Sequence, residues 1–167
     1  MTTIDLAPYS SYFSIITTAD SNNLGTGGTS DQGNVFLASN YSSFSANTVS
    51  SPDISFDSAT GRITVKATGT YLLVFIPTVT VAGGTGVKSR IIKNGSEVFV
   101  TPNMTAFPNT DPISATCQQI FDLTVGDYLE FTLSGDITTA LTAQNGTSFT
   151  MLKANGDYAS ITQTLRS

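Results

Sequence analysis

The 167-residue sequence contains no histidine, no tryptophan and one cysteine, Cys117. Without histidine there is no Ser-His-Asp or Cys-His activation of a nucleophile and no imidazole-ligated metal. One cysteine excludes an intrachain disulfide and a thiolate metal cluster. Charge is sparse as well, at 11 % of residues against about 25 % in ordinary soluble proteins. Seven basic residues face twelve acidic ones, a net charge of −5. No basic stripe is available to neutralise phosphates, which excludes nucleic acid as a partner. The longest apolar run, residues 71–76, is far short of the roughly 20 residues of a membrane-spanning helix. A membrane is therefore not an expected partner. The opening residues lack a basic stretch followed by a long apolar one, so no signal peptide is expected and synthesis in a cytoplasm is.

What the chain has is a 40 % share of hydrophobic residues, ten phenylalanines, and abundant Ser and Thr. That is too apolar and too weakly charged for a disordered chain. At this length one domain buries roughly two-thirds of its unfolded surface. The dominant pattern is alternation at period two, bounded by Gly, Asn, Asp and Pro, with no convincing helical period. Strands are expected at residues 12–18, 35–38, 54–56, 62–66, 70–81, 87–93, 97–100, 115–125, 128–133 and 147–153, with 41–46 a further candidate. Asn94-Gly95 is a strong hairpin signal. Residues 57–61 form a second tight turn. Ile63 and Val65 point one way, Arg62, Thr64 and Lys66 the other. The whole reads as about eight to ten short antiparallel strands in two sheets, a β-sandwich or jelly roll. Residues 1–11 read as an N-terminal arm, 12–153 as the domain and 154–167 as a polar tail.

One strand departs from simple alternation. Tyr71, Leu73 and Phe75 lie on one face of it; Leu72, Val74 and Ile76 lie on the other. A strand apolar on both faces is covered on both. In a two-layer sandwich the second cover is another copy of the chain, or else the N-terminal segment or a loop folded over that face. Full burial of a residue of Leu, Val or Ile size is worth about 1.5–3 kcal/mol, a strong drive to self-association.

The order of motifs resembles the tumour-necrosis-factor-like jelly roll, and more closely its complement subcomponent-q globular-head branch. Phe56-Asp57…Gly61-Arg62-Ile63-Thr64-Val65 precedes Gly69-Thr70-Tyr71-Leu72-Leu73-Val74-Phe75. Leu123-Thr124-Val125-Gly126-Asp127-Tyr128-Leu129-Glu130-Phe131 follows. Thr147-Ser148-Phe149-Thr150-Met151-Leu152 closes the series, without the family's final glycine. The resemblance spans residues 12–153. It implies a homotrimer with inner sheets turned towards the threefold axis. The strands matching 70–81, 115–125 and the last strand lie in that inner sheet. Leu72, Val74 and Ile76 are accordingly placed at the trimer contact.

Other candidate sites have plain readings. The carboxylates are scattered, with no pair spaced as a glycosidase needs. Some members of the resembled family bind calcium through loop carboxylates and carbonyls, and Asp111 and Asp136 are the loop carboxylates that could serve, but no dense Asp/Asn cluster exists, so no cofactor or metal is expected. Cys117 reads as a small core residue. Asn40, Asn94, Asn103 and Asn145 head Asn-x-Ser/Thr triplets that arise readily by chance in so hydroxyl-rich a chain. Tyr9, Tyr12 and Phe107, with Tyr41, lie in or near loops; the first three are the candidate partner contacts, and core or staple packing is the alternative. The expected role is non-enzymatic. It is that of a trimeric virion structural protein, a capsid decoration or head-fibre protein whose partner is the major capsid protein or another virion protein. The alternative is a trimeric knob binding a host receptor or glycan through residues 82–86, 101–112 and 134–146.

Overall fold

The computed structural model describes residues 11–22, 24, 32–81, 87–100, 112–114, 116–135 and 141–154. Tyr9, Phe107, Asp111, Asp136 and Asn103 lie outside the described residues, as do most of the arm and tail.

Fourteen strands are described: β1 (Tyr12–Thr17), β2 (Gln32–Asn34), β3 (Ala46–Ser50), β4 (Ile54–Asp57), β5 (Arg62–Val65), β6 (Gly69–Ile76), β7 (Thr78–Val81), β8 (Val87–Lys93), β9 (Ser96–Val100), β10 (Ile113–Ser114), β11 (Cys117–Leu123), β12 (Tyr128–Gly135), β13 (Leu141–Ala143) and β14 (Ser148–Lys153). Every ladder is antiparallel. One sheet runs β11-β6-β14-β1-β3, a second runs β4-β5-β12-β8-β9 with β2 on β12, and a small third runs β10-β7-β13. The grouping of β6, β11 and β14 is the one the resemblance implies.

Period-two alternation builds the core. Tyr71, Leu73 and Phe75 from β6 and Phe149 and Met151 from β14 are fully buried, and so are Ile63, Leu129, Phe131 and Leu133 of the opposing sheet. Aromatic rings bridge the layers. Phe131 and Phe149 have centroids 4.2 Å apart, Phe75 and Phe131 5.1 Å, spacings at which ring pairs add to simple burial.

Four expectations are corrected. The strand expected at 70–81 is two, because Pro77 has no N–H for a ladder bond. Across it the chain passes from the five-stranded to the three-stranded sheet. Residues 35–38 are a turn leading into a single 3-10 turn, Ala38–Asn40. Val35 and Phe36 are both fully buried, which a half-buried strand cannot achieve with consecutive residues. Their conformation is held by Asn34, whose Nδ2 donates to the Gly61 carbonyl (3.0 Å) and whose Oδ1 accepts from the Phe36 N–H (3.0 Å). Residues 41–43 are bends, 44–45 are irregular, and the strand after them starts at Ala46 and runs on to Ser50. The loop expected at 134–146 contains β13, and β12 extends to Gly135. Short strands of two to four residues account for the rise above the expected eight to ten.

Candidate self-association face

The inner face of the five-stranded sheet is consumed by the core; its outer face is the candidate site. Strand register assembles that face from distant parts of the sequence. Leu72 on β6 lies opposite Ile120 on β11 and Leu152 on β14, and Leu152 lies opposite Tyr12 on β1. Ile120, Leu72, Leu152 and Tyr12 therefore form one apolar row across four strands. Val74 stands in the next row between Gln118 and Thr150, and Thr150 faces Ser14, with the two hydroxyls 3.3 Å apart. In the third row Ile76, Ser148 and Ile16 lie side by side.

Burial matches this geometry. Leu72, Val74 and Ile76 are half-buried by their neighbours within the sheet, in contrast to the fully buried Tyr71, Leu73 and Phe75. Ile120 is 63 % exposed, Tyr12 43 % and Ile16 40 %. These are three of the five large apolar side chains left exposed among the described residues, the others being Val98 and Val125. Tyr12, expected as a partner contact, is the first residue of β1 and ends the same row as Leu72. Ile120, Leu152 and Ile16 were not singled out from the sequence; only the register places Ile120 and Leu152 beside Leu72 and Ile16 in the row of Ile76. Tyr41 is a staple: it is buried, and its hydroxyl donates to the Val35 carbonyl at 2.6 Å.

Charge separates the two outer faces. On the β6, β11 and β14 face the one described charged side chain is Asp122, at the end of the β6–β11 ladder, where its Oδ1 accepts from the Thr70 hydroxyl at 2.6 Å. The six-stranded sheet carries the ion pairs. Arg62 meets Glu130 at 3.3 Å and stacks 4.2 Å over the Tyr128 ring, Arg90 meets Glu97 at 2.9 Å, and Lys93 meets Asp127 at 2.9 Å. One sheet is thus dressed for water and the other is not.

Nothing described is poised for chemistry. Cys117 faces the core, and burial pushes its thiol up to about 11, away from the reactive thiolate. The described carboxylates serve the fold. Asp20 accepts from the Asn145 N–H, Asp53 from the Ser11 hydroxyl, and Asp57 from the Ala59 N–H and the Thr60 hydroxyl. Asp127 accepts from the Thr124 N–H, Asn94 and Lys93.

No family model matches the sequence, and no curated protein matches it. Solved structures do. Eiger TNF from S. frugiperda superposes with a TM-score of 0.50 at 13 % identity, over 84 % of this chain and 93 % of that one. Murine APRIL superposes with a TM-score of 0.55 at 14 % identity, over 85 % and 99 %. The fold is a tumour-necrosis-factor-like jelly roll. At such identities the likeness concerns the fold alone. Within this jelly roll the row Ile120–Leu72–Leu152–Tyr12 lies on the outward side of the sheet formed by β11, β6 and β14.

Proposed function

We propose that the chain is a non-enzymatic homotrimer that serves as a virion structural protein, attached to a capsid shell as a decoration or head-fibre protein. The observation that carries the assembly reading is the contrast between the two outer faces. An apolar row four strands wide, with a single carboxylate at its margin, is a surface another protein surface covers, and identical copies supply it without a second gene product. The absence of histidine and the buried, neutral Cys117 favour a structural over a chemical role.

The virion reading draws on composition, namely low charge with hydroxyl- and amide-rich surfaces, and on how the chain enters and leaves the sandwich. The Lys153 N–H donates to the Ser11 carbonyl at 2.9 Å and the Ala154 N–H to the Thr70 carbonyl at 2.8 Å. Ser11 and Ala154, the first and last described residues, therefore lie near one another at one end of the sheet. β7 ends, β8 begins and β12 ends at the opposite end. A trimer so built has one end for attachment and one end for loops.

Size-exclusion chromatography with light scattering tests assembly, and co-sedimentation with source capsids tests the partner. A trimer that sediments with capsids in saturable stoichiometry is expected. A trimer that ignores capsids but binds a glycan array would replace the shell with a host receptor, and a monomer would overturn the reading at its base.

A further inference from the structure

The sequence holds two Asn-Gly pairs within the described residues, Asn94-Gly95 and Asn145-Gly146, and the fold treats them oppositely. In such pairs the glycine nitrogen can attack the asparagine side-chain carbonyl, because no Cβ shields it. At Asn94 both ends of the side chain are held. Its Nδ2 donates to Asp127 at 2.7 Å and its Oδ1 accepts from the Tyr128 N–H at 3.0 Å. The amide carbon cannot turn back onto its own chain while those bonds last. Asn145 is exposed, and among the described residues its side-chain amide carries no hydrogen bond; only its backbone N–H is engaged, by Asp20 at 2.7 Å. Around Gly146 the space is open, with no atom within 4 Å of where a Cβ would stand. One tie opposes reaction, the Gly146 N–H donating to the Thr17 carbonyl at 2.9 Å. It is a single bond between backbone groups in a turn at the surface.

We propose that Asn145 is a site of spontaneous deamidation, and that Asn94 is protected by the Asp127–Tyr128 clasp. The Gly146 nitrogen gives up its proton to hydroxide and forms a bond to Asn145 Cγ. The Cγ–Nδ2 bond breaks and ammonia leaves with the proton it needs from solvent. The resulting five-membered imide is opened by water at either carbonyl, giving aspartate or isoaspartate. Either product places a new carboxylate beside Asp20, so the β13–β14 turn acquires a like-charge pair where it had an amide. The inference is independent of the assembly and virion readings.

The folded protein is incubated in mildly alkaline buffer, then digested and mapped by mass spectrometry with isoaspartate detection. Conversion at Asn145 is expected to run at least about tenfold faster than at Asn94, since opening a bond to a charged carboxylate costs more than a tenfold rate ratio represents. In denaturant the two rates converge. Asp127→Ala is expected to raise conversion at Asn94 and leave Asn145 unchanged. Equal rates in the folded protein overturn the proposal, as does an Asn145 that stays intact over the time the denatured chain converts.

Discussion

Asp127 shows how few groups a low-charge sandwich needs to fix a corner. The Thr124 N–H is the main donor holding its carboxyl well below the usual carboxylate range, with Asn94 and Lys93 adding to it. The unfolded carboxyl titrates near about 3.9. A lowered folded value means that the stabilisation is complete above the unfolded value and fades as pH falls through it towards the folded one. Asp127→Ala is expected to cost about 1.5–3 kcal/mol at neutral pH, the range for bonds to a charged group. Denaturant titrations at falling pH check this: the gap between wild type and variant should narrow below about pH 4. Gly61 is the other residue fixed by its surroundings. Its φ is +69°, and an added Cβ would stand 2.5 Å from Asn34 Nδ2. Gly61→Ala should lower the melting temperature by more than Gly126→Ala, whose φ of +93° is equally left-handed but whose surroundings are open.

At the scale of the element, alternation carried most of the fold. β5 and β12 were legible because inward and outward residues differ in polarity, and Asn94-Gly95 marked the β8–β9 turn. Three features were not. Parity continues unbroken through Pro77, with Phe75 and Val79 both buried, so nothing in the pattern shows that the strand changes sheets there. Val35 and Phe36 look like strand residues because the bond that anchors the Asn34 side chain over their turn, to the Gly61 carbonyl, comes from a residue remote in sequence. The apolar row was half legible. Leu72, Val74 and Ile76 stood out on a two-faced strand, but Ile120, Leu152 and Tyr12 join them only through ladder register, which a single sequence does not encode locally. The elements meet most closely at Phe131, within ring contact of Phe36, Phe75 and Phe149. Phe131→Ala is expected to destabilise the protein by about 3–5 kcal/mol, measured by equilibrium denaturation.

For the whole molecule, the decisive feature is asymmetry between its two broad faces, one ion-paired and one apolar. The proposed association through the apolar face would be driven by removing surface from water and would not be weakened by screening. The assembly should therefore persist from low to high salt in sedimentation velocity, whereas a charge-driven one would dissociate. Ile120 offers the sharpest probe because it is already largely exposed, so replacing it perturbs assembly without opening the core. The most direct measurement is the solution mass of the wild type and of Ile120→Asp by light scattering, alongside their melting curves. Wild type is predicted at three times the 17.5 kDa chain mass, and the variant at the mass of one chain with its β-sheet circular dichroism retained. A wild type that stays at the single-chain mass at every concentration tried would contradict the account.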